Sequence, residues 1–165
     1  MSALNIKQLI RKEDGPWVAM MGSVRTIRIS GEVTGGALSL NEQIIAPLPA
    51  LGSPLHMHER EDETFYILEG SLVFQVEDQL VEAKAGDTVW APRGQRHAFW
   101  NPGPAPARIL TLVTPAGFEQ FFEELATPVE SPEKAPPPSK PDPERMTTLA
   151  RKYGLTLYPR DMLKV

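Results

Sequence analysis

The sequence contains no cysteine. It can form no disulfide, and any metal it binds must be held through nitrogen and oxygen ligands. An excess of positive charge is also absent. Against 21 Asp and Glu there are 17 Lys and Arg, for a net charge of −4. The basic residues are scattered among acids, whereas a nucleic-acid partner calls for clustered Lys and Arg. No apolar stretch approaches the roughly 18 residues that a membrane helix needs. No basic segment followed by a long apolar run opens the chain, so no secretory signal is read there. These absences predict a soluble, cytoplasmic protein whose partner is a small molecule rather than nucleic acid or membrane. Histidine is scarce, with three in the chain, so the positions of those three carry information.

What is present organises the 165 residues as one ordinary domain. Residues 4–13 suit a short helix within a lead-in segment spanning 1–23. From Val24 to Ile29 the residues are β-branched and partly alternating, which predicts a strand. Thr34-Gly35-Gly36 reads as a turn, and residues 37–45 as a second strand ended by Pro47 and Pro49. Short strand-like runs then follow at 55–58, 63–68, 72–76, 80–83, 88–91, 97–100 and 108–113. Turn signals such as Glu69-Gly70, Gly86-Asp87 and Pro92-Arg93-Gly94 separate them. Many short strands at this spacing predict an all-β barrel or sandwich over residues 24–113.

The end of the chain differs. Thr114-Pro115 suits a helix start, and Phe118, Phe121, Phe122 and Leu125 fall on one helical face. Glu119, Glu123 and Glu124 are expected to point outward. This amphipathic helix over 114–126 either packs on the barrel exterior or covers its mouth. A Pro-rich linker is expected over 127–143, where many of the 17 prolines lie. A C-terminal helix and tail over 144–165 follow, opened by Asp142-Pro143 and stopped by Gly154. Met146, Leu149, Ala150 and Tyr153 form the apolar stripe that docks it.

The chemistry lies in the histidines. His56 and His58 are one residue apart, which on a strand puts both imidazoles on one face. Glu63 comes on the next strand candidate and His97 on a later one. Three imidazoles and a carboxylate suit one divalent transition metal ion, whether Fe, Mn, Ni, Zn, Cu or Co. By strand alternation Phe65, Ile67 and Phe99 face the same way as the ligands and are candidates for the wall of a substrate pocket. Arg93 and Arg96 suit a solvated turn better than an anion site. The acidic run 59–63 reads as a solvated loop apart from Glu63.

The flanking residues sharpen this. Gly52-Ser-Pro-Leu-His56-Met-His58 is followed by four residues to Glu63 and six to Gly70. Gly86 is followed by five residues to Pro92-Arg-Gly94, two to His97 and three to Asn101. These two motifs resemble those of the cupin superfamily. The segment from about Thr34 to Val113 is similar to the small, single-domain quercetin 2,3-dioxygenase-like cupins. The first motif departs from the usual pattern only in its opening glycine, which lies closer to His56. The resemblance implies a jelly-roll barrel in which His56, His58, Glu63 and His97 bind the metal. It further implies a dioxygenase acting on a small phenolic or enol-like substrate, with Glu63 as ligand or as catalytic base. A metal-dependent isomerase or decarboxylase of a small acid or sugar, and a non-catalytic metal- or ligand-binding protein, remain alternatives on the same motifs. The resemblance also implies a homodimer, with Val24–Ile29 as a strand that could add across the interface.

Overall fold

The computed structural model describes residues 9–12, 14–48 and 52–159. Its elements run β1 (Trp17–Met20), β2 (Ser23–Ile29), α1 (Gly31–Thr34), β3 (Ser39–Ile45), β4 (His56–His58), β5 (Asp62–Glu69), β6 (Ser71–Val76) and β7 (Gln79–Lys84). They continue with β8 (Thr88–Ala91), β9 (His97–Trp100), β10 (Ala107–Thr114), α2 (Glu119–Leu125), β11 (Thr127–Val129), α3 (Pro143–Lys152) and β12 (Leu155–Leu157). One antiparallel sheet has the order β11-β1-β2-β3-β10-β5-β8, and the facing sheet has the order β12-β4-β9-β6-β7. This is the jelly-roll arrangement expected of an all-β chain that buries one face of each sheet.

Period-two alternation sets which side chains fill the space between the sheets. Along β10, Ala107, Ile109, Thr111 and Val113 are buried, and their neighbours are not. On β5, Glu63, Phe65 and Ile67 point inward while Tyr66 is exposed. Phe65, Ile67, Leu72, Phe74, Phe99 and Ile109 belong to the apolar core between the sheets. The chain path also needs Gly52. Its φ is +62°, and a Cβ there would meet the Phe99 carbonyl oxygen at 2.2 Å. That backbone approach lets Ser53 accept from Phe99 N–H and donate its own N–H to Phe99 O, both at 2.9 Å.

A second apolar cluster closes one end of the barrel. Phe118, Phe121, Phe122, Met146, Leu149 and Tyr153 are its main members. The Asp142 carboxylate caps α3 by accepting from Arg145 N–H at 2.7 Å, which satisfies a donor that the helix start would otherwise orphan. Glu124 joins the two helices through Lys152 at 2.7 Å and through the Tyr153 hydroxyl. No helix among the described residues is long and apolar enough to cross a membrane.

Several expectations change in the folded protein. The proposed helix over 4–13 lies largely outside the described residues, and residues 9–12 are not helical. Sheet structure begins earlier than residue 24, because Trp17–Met20 pairs with both β2 and β11. The segment 127–143 is not wholly a linker, since Thr127–Val129 is the strand that pairs with β1. β3 takes one edge of β2 and β1 takes the other along Ser23–Thr26, so of Val24–Ile29 the residues 24–26 have no free edge to lend to a second copy. Strand β10 runs through Thr114, whose bond to Pro115 is cis, and α2 starts only at Glu119.

Glu119 itself is buried rather than outward-facing, at 4% exposure. Its carboxylate accepts from Gly31 N–H and from Gly117 N–H, each at 2.7 Å. Burial opposes its charge, but these bonds outweigh it and hold the carboxyl below its usual 4.5. A carboxylate whose pKa is lowered by folding adds stability above pH 4.5, and that part is lost as pH falls from 4.5 through the folded value. Replacing it leaves two part-buried N–H groups without this acceptor, so Glu119→Ala is expected to cost about 1–3 kcal/mol at neutral pH. Urea denaturation should find that gap shrinking in acid; a gap unchanged from pH 7 to about pH 3 would contradict this role.

Candidate metal centre

Pairing of β4 with β9 sets His56 opposite His97. Alternation along β4 turns His56 and His58 to the same inward face, and Glu63 enters from β5 in the facing sheet. The four side chains are therefore gathered only when the two sheets close on each other. One ligand atom from each lies within 4.8 Å of the others, and all four residues are buried. Glu63 Oε2 stands 2.9 Å from His97 Nε2, 3.3 Å from His58 Nε2 and 3.9 Å from His56 Nε2.

The outer ring nitrogens explain why the inner ones converge. His56 Nδ1 is 2.8 Å from Pro54 O, His97 Nδ1 is 3.2 Å from Gln95 O, and His58 Nδ1 is 3.3 Å from Glu61 Oε2. A neutral imidazole that donates from Nδ1 keeps its Nε2 lone pair free. Each ring is thus oriented by an oxygen behind it, with Nε2 aimed at the centre of the cluster, where a metal ion would take its lone pair once the proton has left. His58 Nε2 is buried and has no hydrogen-bond partner of its own. An unsatisfied buried ring nitrogen, aimed at a carboxylate and flanked by two more imidazoles, fits one divalent transition metal ion.

The charges agree with this. Burial raises Glu63, but the His58 charge and the three imidazoles around it hold it well below its usual value of 4.5. Burial lowers His58, yet Glu63 and Glu61 together push it up to about 9. His56 is pushed down to about 4 by burial and by His97. In the metal-free cluster the Glu63 carboxylate is paired with the imidazolium of His58.

Beside His56 and Glu63 lies a cavity of about 50 Å³ with mainly apolar walls. Phe65, Phe99, Phe118, Phe122, Met20 and Met21 are among its lining residues. Phe118 sits edge-on against His58, with ring centroids 4.3 Å apart. The helical cap thus covers the barrel mouth over the site and is not mere exterior packing. Arg25 also lines the cavity and is only 6% exposed. Its guanidinium lies 3.5 Å over the Phe122 ring, and Nη2 donates to Gln43 Oε1 at 3.2 Å.

Of the residues expected at the pocket, Phe65 and Phe99 line it. Ile67 does not. It lies one alternation further along β5, fully enclosed in the core between the sheets. Arg93 pairs with Asp62 at 2.9 Å and Arg96 with Glu77 at 2.8 Å, both away from the cavity. Asn101 holds a turn by donating to Ile45 O and Ala105 O. Glu61 corrects the reading of the acidic run, because it is buried at 5% exposure against His58. Its signal was its position three residues after a histidine that needs an orienting acceptor. Arg25 also went unread, although alternation in β2 puts it on the face of Ser23.

Comparison with known proteins bears on this geometry. The family model described as Cupin domain matches residues 46–113. The tetracenomycin polyketide synthase protein TcmJ of Streptomyces glaucescens is 31% identical over 117 residues, covering 70% of this chain and 77% of that protein. A Thermotoga maritima structure described as a predicted oxalate decarboxylase aligns with a TM-score of 0.56 and 28% identity, over 64% of this chain and 97% of that one. KdgF from Halomonas sp. aligns with a TM-score of 0.59 at 18% identity, over 70% of this chain and 99% of that one, a likeness of fold.

The opposed histidine environments are directly measurable. In metal-free protein, imidazole NMR should show His58 titrating near pH 9 and His56 near pH 4. A pair titrating together near the ordinary 6.5 would show that the carboxylates do not act on the cluster as described.

Proposed function

Because the chain belongs to the cupin superfamily, we propose that it is a metal-dependent enzyme in which His56, His58, Glu63 and His97 hold one divalent transition metal ion. Such an ion supplies Lewis acidity toward a substrate oxygen and, where it is redox-active, a route to dioxygen. The remaining work falls to the chain. Glu61 fixes the ring of His58, and the Pro54 and Gln95 carbonyls fix those of His56 and His97. Phe65, Phe99 and Phe118 exclude water from the reacting end of the cavity, which strengthens every charge interaction there.

The reaction we propose is dioxygenation of a small enol-like substrate bound through its deprotonated oxygen. The observation that carries it is the scarcity of proton-transfer groups. Among the described lining residues, Glu63 is the sole carboxylate, and there is no Lys, Tyr, Asp or Cys. Isomerisation or dehydration moves protons both off and onto the substrate, and apart from the ligand residues His56 and Glu63 no described lining residue is a carboxylate, imidazole, Lys, Tyr or Cys. A substrate that loses one proton, to Glu63 Oε, and then reacts with dioxygen needs no second one. The cavity of about 50 Å³ is far below the roughly 300 Å³ at which drug-sized sites begin. It suits a substrate of a few heavy atoms and not a three-ring flavonol. Oxygen-independent decarboxylation is the second reading, favoured by the likeness to the Thermotoga maritima protein described as a predicted oxalate decarboxylase.

Elemental analysis with oxygen uptake on small enols, catechols, 1,3-diketones and 2-oxo acids tests the proposal. One metal ion per chain and oxygen consumption are expected. Absence of metal overturns the assignment, and turnover that persists without oxygen selects decarboxylation. Glu61→Ala is expected to weaken metal affinity by roughly 10–100-fold, the usual effect of losing a partner behind a metal-bound histidine. Competition with a chelator measures this, and an unchanged affinity would exclude Glu61 as the orienting group.

A further inference from the structure

We propose that Arg25 anchors a carboxylate of the substrate, so that the site takes a short acid bearing a second oxygen group, a 2-oxo acid or its enol, in preference to a neutral phenol or diketone. This rests on the metal reading above and adds the class of ligand.

The first support is the state of the arginine. A guanidinium presents five N–H donors in a rigid fork. Arg25 is almost wholly buried, yet its Nε has no hydrogen-bond partner, and Nη2 is engaged by a neutral amide oxygen. That amide is itself held, because Gln43 Nε2 donates to Thr111 Oγ1 at 2.8 Å. The Phe122 face fixes the plane of the fork. The group is therefore oriented in advance but under-satisfied, and burial pushes its pKa down to about 10. Natural interiors pair such cations.

The second support is charge. The carboxylate that acts on Arg25 is Glu63. A dication among the four ligands takes up that negative charge, leaving Arg25 without its counterion in a small apolar cavity. Only a bound anion restores the balance. The third support is distance of chemistry. Arg25, His56 and Glu63 line one cavity of about 50 Å³, so a single short molecule meets both the ligand cluster and the guanidinium. Of the other arginines near the cluster in sequence, Arg93 and Arg96 are committed to Asp62 and Glu77, and Arg60 does not line the cavity.

Pyruvate and its uncharged isostere butane-2,3-dione separate the contributions. Both are titrated calorimetrically into metal-loaded wild type, Arg25→Met and Arg25→Lys, with metal content and melting temperature recorded for each. Wild type is expected to bind pyruvate in preference to butane-2,3-dione. Arg25→Met should keep its metal and lose pyruvate affinity by at least about tenfold, the scale of one charge-assisted hydrogen bond. Its affinity for butane-2,3-dione should change by less than about threefold. Arg25→Lys keeps the charge without the fork and should fall between. Unchanged pyruvate affinity in Arg25→Met overturns the proposal, as does a wild type that ignores pyruvate or prefers the dione. If Arg25→Met fails to fold, an Arg25→Lys protein that binds pyruvate like wild type overturns it equally. A wild type that takes up no metal overturns the metal reading instead. Arg25-dependent pyruvate binding in that protein would still uphold the anchor, and its absence would overturn it.

Discussion

The cluster depends on what stands behind the histidines rather than between them. Each ring can rotate about its side-chain bonds, and three free imidazoles beside a carboxylate would adopt many arrangements. Oxygen acceptors at Nδ1 remove that freedom. Pro54 O and Gln95 O each lie two residues before the histidine they hold, and Glu61 lies three residues after His58. These contacts are local, so the backbone turn leading into β4 and β9 sets ring orientation as the strand forms. The buried carboxylate of Glu63 is tolerable for the same reason. It faces three nitrogens already turned toward it, which offsets the cost of taking its charge out of water.

Local anchoring brings the rings to the right attitude, and tertiary structure brings them together. His56, His58 and His97 stand on one sheet and Glu63 on the other. Strand β4 is only three residues long and would be a weak support alone. It is braced on one edge by β9 and on the other by β12, whose Leu155 and Leu157 pair with His58 and His56. The cap completes the enclosure, with Phe118 against His58 and α3 packed beside α2. The C-terminal segment is thus part of the site's architecture even though it contributes no ligand.

The strands and the four clustered side chains were legible in the sequence because they rest on local signals. Thr88–Ala91 and His97–Trp100 appear at the expected bounds. The single intervening residue in His56-Met-His58 translates directly into a shared face. What was not legible depends on long-range pairing. Trp17–Met20 is a strand only because Thr127–Val129 returns to pair with it. A polar, proline-rich context gives no periodic signal for that. Leu155–Leu157 is too short to announce itself and is a strand by virtue of β4. Glu119 looked like an outward acid on an amphipathic helix, but its carboxylate accepts from Gly117 N–H beside it and from Gly31 N–H, 88 positions away in sequence. Ile67 had the right parity but the wrong depth, since alternation gives the face of a strand and not the position along it.

Arg25 shows how a charge invisible to motif reading enters the logic of the site. In the absence of metal, the carboxylates of Glu63 and Glu61 balance the charges of His58 and Arg25, and the cavity needs no other anion. With a dication held by the four side chains and His58 neutral, the two carboxylates no longer balance the dication and Arg25 together. Metal binding and anion binding then favour each other, because each makes the other's charge cheaper to bury, and such coupling is reciprocal by thermodynamic necessity. A neutral ligand gains nothing from this coupling, whereas a carboxylate gains from both cations at once. The apolar walls increase the difference, since weak dielectric screening strengthens a compensated charge and penalises an uncompensated one. Selectivity for an acid therefore arises from the charge count of the cavity together with the fixed fork of Arg25, and it does so without any further residue dedicated to recognising the substrate.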